Sequence, residues 1–227
     1  MSVPPRVIAI DGPAGAGKST VARLVAERSG LPYLDTGAMY RCVALACLRD
    51  GIDPADAAAT GVRAAELDIA VEPGSVVLDG RDVTDEVRTP EVAATVSLVA
   101  AHSPVRDVMR TLQRRWIERH GGGVVEGRDI GTVVFPDALL KVFLDASPVV
   151  RARRRVGQEG GDVDEVAASI AERDRIDSSR ADSPLRAAED AFHVDSSERT
   201  VDEVVATIVD RWWSLAGGTG AAGSRSS

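Results

Sequence analysis

Apolar positions along the chain follow two rhythms that alternate. Val7-Ile8-Ala9-Ile10 is an unbroken apolar run, the pattern of a parallel strand buried on both faces. Val21, Leu24 and Val25 then recur at helical spacing up to Gly30, a residue suited to a left-handed C-cap. Residues 31–35 read as a second parallel strand, running into a helix that turns Met39, Cys42, Val43 and Ala46 inward. From Leu67 the spacing becomes strand-like. Leu67, Ile69 and Val71 alternate, Pro73-Gly74 turns, residues 76–78 return and Asp79-Gly80 turns again, which predicts a small antiparallel sheet. Thr89-Pro90 and Ser103-Pro104 each set an N-cap before a first-turn proline. The helices they start carry Val92, Val96 and Val99, then Val105, Val108, Met109, Leu112 and Trp116 as core residues, and Gly121-Gly122-Gly123 ends the second.

Residues 124–126, 139–144 and 192–195 read as the third, fourth and fifth strands. Ser147-Pro148 opens a helix expected to break at Gly157 and at Gly160-Gly161. A second helix follows through Val163, Val166 and Ile170 to Arg173. Thr200 with Glu203 forms a capping box for a final helix packed through Val204, Val205, Ile208, Trp212 and Leu215. The tail over 217–227 is rich in Gly, Ala and Ser and reads as disordered.

Between the first strand and helix lies Gly12-Pro13-Ala14-Gly15-Ala16-Gly17-Lys18-Ser19-Thr20, which fits G-x-x-x-x-G-K-[ST] in its proper strand–loop–helix setting. Glycine lets backbone approach phosphate oxygens, successive N–H groups point inward, and the helix N-terminus adds its positive end. Lys18 would neutralise charge between the β- and γ-phosphates, and the Ser19 hydroxyl would hold Mg²⁺. The fold expected is α/β of the P-loop NTPase type, a five-stranded parallel sheet flanked by helices. One domain spans residues 1–227, with a core at about 5–60, 121–150 and 185–216. An insertion at about 61–120 holds the antiparallel sheet, and a helical lid occupies about 151–175.

A net charge of −8 argues against general nucleic-acid binding. Only Lys18 and Lys141 are lysines among the 27 basic residues, so positive charge is nearly all guanidinium, the form suited to forked phosphate contacts. Cys42 and Cys47 have neither metal nor disulfide spacing and read as small core residues. No signal peptide or long apolar run is seen, so a soluble, cytoplasmic monomer without a membrane segment is expected.

Arginines cluster in three places. Arg151, Arg153, Arg154 and Arg155 on the helix after the fourth strand read as a mobile lid over phosphates. Arg173, Asp177 and Arg180 share a face if their helix extends that far. Arg106, Arg110 and Arg114 recur every four residues. From spacing alone they form a solvated face, and loss of Arg110 is expected to do little. Arg41, near its helix start, reads equally well as a solvated residue. Gly127-Arg128-Asp129-Ile130-Gly131 places ions between glycines after a strand, where α/β sheets bind ligands.

The blocks at 10–18 (IDGPAGAGK), 34–41 (LDTGAMYR), 126–136 (EGRDIGTVVFP) and 172–174 (ERD) closely resemble bacterial cytidylate kinases, over about residues 7–213. That resemblance implies ATP-dependent phosphorylation of CMP and dCMP with Mg²⁺. It places Thr36, Arg41 and Arg128 at the acceptor phosphate and Ser97, Arg106 and Asp129 at the cytosine edge. It puts Arg173 and Asp177 at the sugar with Arg180 beside them, and so lifts Arg106 out of the solvated face. Lys18, Arg41, Arg128 and Arg154 would carry catalysis, while residues 12–20 with Arg151 and Arg155 would hold ATP. The alternatives are a kinase of UMP or of a small acid such as shikimate, and a nucleotide binder without turnover. A guanine-reading Asn-Lys-x-Asp motif is impossible, since the chain contains no asparagine.

Overall fold

A computed structural model describes residues 5–217; the expected disorder beyond Gly217 lies outside them. Strand β1 (Val7–Asp11), every residue of it buried, is the middle of a five-stranded sheet. Its parallel neighbours are β6 (Gly123–Gly127) on one side and β7 (Leu140–Asp145) on the other. β2 (Tyr33–Asp35) pairs with β6 and β8 (Phe192–Asp195) pairs with β7, both parallel, giving the order β2-β6-β1-β7-β8.

Alternation along β1 divides the core. Val7 and Ala9 face a layer made by α2 (Thr36–Asp50), α4 (Pro90–Val99) and α5 (Ser103–His120), whereas Ile8 and Ile10 face α1 (Lys18–Ser29) and α8 (Val201–Leu215). α2 is buried almost all round, from Ala38 to Cys47, because it lies between the sheet and the insertion; Cys42 and Cys47 are free thiols within it. The antiparallel sheet is β3 (Ile69–Glu72), β4 (Ser75–Leu78) and a short β5 (Arg81–Asp82), with Ile69 opposite Leu78. It follows α3 (Ala57–Glu66), a helix the apolar pattern did not announce because its buried residues are the small Thr60, Gly61 and Ala64.

The two helices expected to form a lid depart from expectation in two ways. α6 (Pro148–Glu159) runs straight through Gly157 and ends only at Gly160 and Gly161, whose φ values are 77° and 100°. One glycine costs a helix about 1 kcal/mol, too little to break it where neighbours hold both ends. α7 (Val163–Ser179) continues past Arg173, so Arg173 and Asp177 share a helix and Arg180 lies one residue beyond its end. Trp116 is half-buried at the edge of the core, stacked on His120 at 4.1 Å, rather than inside it.

After β6 the chain makes a single π-helical turn, Ile130–Val134, which no sequence pattern announced. The buried Asp11 carboxylate holds it, accepting from the Ile130 and Gly131 N–H groups at 2.8 and 2.7 Å. Burial nonetheless pushes the Asp11 pKa up from 3.8 to about 6, against the lowering effect of those two bonds. The next residue, Gly12, lies so close to β7 that a Cβ there would sit 2.0 Å from the Leu144 carbonyl oxygen.

Two outcomes follow. Gly12→Ala should cost about 3 kcal/mol through overpacking, read as a drop of roughly 10 °C in the unfolding midpoint. Because folding raises the Asp11 pKa, the protonated side chain favours the native state below about pH 4, and that advantage disappears as pH rises through about 6. Unfolding free energies of the unaltered protein and Asp11→Asn should therefore converge or diverge by about 3 kcal/mol between pH 4 and 7, the unaltered protein losing ground. A pH-independent difference would contradict this.

Candidate active site

The loop after β1 wraps around the start of α1. Gly15 and Gly17 adopt left-handed φ values of 75° and 88°, which turn the backbone tightly into the helix. No acceptor among the described residues is found for the N–H groups of Gly15, Ala16 and Gly17. Lys18, 7% exposed, reaches back across the loop and donates to the Pro13 carbonyl at 2.7 Å. Burial and then the nearby Arg128 lower its pKa.

Helices α6 and α7 brace this loop from outside. Asp174 on α7 accepts from the Ala14 N–H at 3.0 Å, while Arg151 on α6 donates to the Ala14 carbonyl at 2.9 Å. Arg151 also pairs with Asp174 and donates to the Ala146 carbonyl at 3.1 Å, so its Nε and Nη1 are engaged with protein groups. A Cβ on Gly15 would meet Arg151 at 3.0 Å, so the loop and α6 touch backbone to backbone.

Three strand ends bring carboxylates to this edge of the sheet: Asp11 on β1, Asp35 on β2 and Glu126 on β6. The buried Glu126 accepts from the Ser19 hydroxyl at 3.1 Å and from Tyr33 Oη, and its carbonyl accepts from Thr36 Oγ1 at 2.6 Å. Burial first, and Asp35 second, raises the Glu126 pKa. Asp35 caps α2 through the Ala38 N–H and holds Arg41 Nη2 at 2.8 Å. Arg41 is thus tied down, not solvated.

On the opposite wall, Arg106 is 1% exposed. It donates to Asp129 Oδ2 at 2.6 Å and to the Ala100 carbonyl at 3.0 Å, with its guanidinium 5.4 Å from the Tyr40 ring centre. Arg128 Nε donates to Asp177 Oδ2 at 2.9 Å, and Arg180 Nη2 to Asp177 Oδ1 at 2.5 Å. Arg173 makes no such pair, and burial together with Arg128 lowers its pKa to about 10. The Nε atoms of Arg41, Arg106, Arg173 and Arg180 are buried with no partner among the described residues. A buried donor left unbonded costs free energy, so each marks a place where a ligand acceptor would be favourable.

These side chains meet around one open cleft of ≈ 1170 Å³. Its wall includes Ala14 through Thr20, Thr36, Arg41, Ser97, Arg106, Arg128 and Asp129, then Arg154, Arg155, Arg173, Asp177 and Arg180. Gly12, Pro13 and Arg151 lie behind the wall. Arg154 is anchored by Ser196, through its hydroxyl at 2.9 Å and its carbonyl at 2.7 Å, and by the Ala16 carbonyl at 3.2 Å. Arg153 is exposed. The solvated face expected for Arg110 and Arg114 is not what forms. Arg110 binds Asp182, Ser183 and Asp107, and Arg114, though exposed, donates to the Val133 and Val134 carbonyls at 3.0 Å each. Both reach elements distant in sequence, which helical spacing cannot reveal.

Sequence reading overlooked Asp11, Tyr33, Asp35, Tyr40, Glu126 and Asp174. Asp11, Asp35 and Glu126 could have been found as carboxylates ending apolar strands at the edge where such sheets bind ligands; Tyr33, Tyr40 and Asp174 carried no local signal. No group of three or more His, Cys, Asp or Glu able to hold a metal occurs among the described residues. Ser19 and Glu126 do place hard oxygen donors side by side at the loop, which suits Mg²⁺ held jointly with a nucleotide's own phosphates. No described helix is long and apolar enough to cross a membrane.

The sequence profile of the family described as "Cytidylate kinase" matches residues 8–213. A cytidylate kinase of Mycobacterium leprae (strain Br4923) is 51% identical over 209 residues, 90% of this chain and 94% of the relative. One from Corynebacterium efficiens is 50% identical over 212 residues, 89% and 92% of the respective chains. A bifunctional pantoate ligase/cytidylate kinase of Prochlorococcus marinus (strain MIT 9313) is 50% identical over 215 residues; 90% of this chain aligns, spanning only 42% of that protein. With the phosphate loop, the Gly127–Gly131 segment and the lid all inside the matched region, the chain belongs to the cytidylate kinase family.

Proposed function

We propose that the protein transfers the γ-phosphoryl group of ATP to CMP or dCMP, giving ADP and the cytidine diphosphates. The observation that carries this reading is the buried Arg106–Asp129 pair in the wall of the same cleft as the phosphate loop. Cytosine offers an exocyclic amino donor beside the O2 and N3 acceptors. Asp129, with Ser97, can take the donor, and Arg106, whose Nε lacks a partner, can serve the acceptors. Uracil turns a carbonyl towards the carboxylate and loses that bond, so discrimination should be strong.

Donor and acceptor phosphates repel, and the acceptor phosphate is already a competent nucleophile at neutral pH. Catalysis is therefore positioning and charge neutralisation, with no general base. Lys18 holds the donor phosphates together with the free N–H groups of residues 15–17. An arriving polyphosphate adds an attraction that opposes the burial and the Arg128 repulsion lowering the Lys18 pKa, and so favours its charged form. Arg154 and Arg155 face the donor from the lid, and Arg151 with Asp174 keeps the loop in shape behind it. Thr36, Arg41 and Arg128 take the acceptor phosphate, and Arg173, Asp177 and Arg180 the sugar. Ser19 and Glu126 would hold Mg²⁺, which supplies charge stabilisation on the donor when bound.

Initial rates of ADP formation with Mg-ATP and CMP, dCMP, UMP, AMP or GMP test the reading. CMP and dCMP should exceed UMP in kcat/KM by about a hundredfold. Activity on shikimate without activity on CMP would overturn it. Asp129→Asn should collapse the cytosine-over-uracil ratio while KM for ATP stays within about twofold. Lys18→Ala should lower kcat by about a thousandfold with an unchanged unfolding midpoint.

A further inference from the structure

Arg110 has no place in the cleft wall, yet it is the best-bonded cation at the far edge of the acceptor side. Its side chain is 16% exposed. Nη1 donates to Asp182 Oδ1 at 2.9 Å and to Ser183 Oγ at 3.1 Å, and Nη2 donates to Asp107 Oδ1 at 2.5 Å. Ser103, Arg106 and Arg110 stand at i, i+3 and i+7 and share a face of α5. The Ser103 hydroxyl is a further hydrogen-bond partner of Asp182. That face therefore does two things at once: Arg106 meets Asp129, while Ser103 and Arg110 grip the chain just past α7.

The gripped segment has little else to hold it. Residues 180–191 form neither helix nor strand. Ser183 is buried with φ at +56°, a conformation that costs a non-glycine residue on the order of 1 kcal/mol and persists only when neighbours impose it. The segment begins with Arg180, three residues after Asp177, the carboxylate that joins Arg128 to Arg180. A hydrogen bond from Leu185 N–H to the Asp177 carbonyl at 2.9 Å links the same stretch back to α7.

We propose that Arg110 is a positioning residue for the acceptor. Through Asp182 and Ser183 it clamps the end of α7 onto α5, and so sets the places of Asp177 and Arg180 relative to Arg106. The inference rests on the reading of the cleft as a nucleoside-monophosphate site. An ordinary surface ion pair of the same geometry would contribute almost nothing; a clamp should show itself in the acceptor parameters alone.

The experiment is steady-state kinetics, with CMP and ATP varied separately, on Arg110→Ala, Asp182→Ala, the double variant and Arg110→Lys. Arg110→Ala should raise KM for CMP about tenfold and leave KM for ATP within about twofold. Asp182→Ala should match it, and the double variant should be no worse than either single change, since both remove one coupled unit. Arg110→Lys keeps the charge but cannot span both partners, and should fall between. CMP and ATP parameters that stay unchanged in every variant, even with a lowered unfolding midpoint, would overturn the proposal, as would equal losses for both substrates. Should Arg110→Ala fail to fold, Arg110→Lys and Asp182→Asn decide by the same criterion. If the unaltered protein does not turn over CMP, the parent reading fails. If it does and the variants behave like it, only the clamp fails.

Discussion

Guanidinium groups repel one another, and this fold gathers them around a single cleft. The carboxylates that keep them apart are what the site depends on. Asp35 holds Arg41, Asp129 holds Arg106, Asp174 holds Arg151, and Asp177 is shared by Arg128 and Arg180. Where such a pair is buried, as Arg106–Asp129 and Arg180–Asp177 are, breaking it strands a charge and costs far more than the pair itself contributes. Among the described residues Arg173 has no such carboxylate bond, and burial first, then the nearby Arg128, lowers its pKa. Anionic phosphates relieve the repulsion between guanidinium groups, so electrostatic strain in the free protein becomes attraction for ligand.

The same pairs carry mechanical information. Asp174 and Arg151 grip the N–H and the carbonyl of Ala14 from α7 and α6, so these two helices and the phosphate loop are one connected unit. Asp11 joins the strand that enters the phosphate loop to the turn that follows Asp129. The phosphate loop therefore shares short, bonded paths through carboxylates with α6, α7 and the turn after Asp129. Changes in one of these elements can reach another by displacing a named group, with no need for diffuse flexibility.

Much of this could be read from the residues in order. The apolar run before Gly12, the helical spacing after Lys18 and the alternation from Leu67 to Leu78 identify elements whose stability is mostly local or generic. The glycines of the phosphate loop identify a backbone shape that few other residues can adopt. Failures came where local preference was overruled by packing. Gly157 sits inside a helix whose ends are held, and the alanine-rich α3 carries too weak a stripe to register.

Arg106, Arg110 and Arg114 mark the boundary most clearly. Their four-residue spacing, with the apolar positions between them, determines a helix with a basic side. It says nothing about which arginine is buried. One meets Asp129, another Asp182, and the third the carbonyls of the π-helical turn, partners 23, 72 and about 20 residues away. Helix propensity and amphipathic period depend on near neighbours and are written in the sequence itself. Burial and pairing of a charge depend on which distant elements the topology brings alongside, and only the tertiary structure decides that.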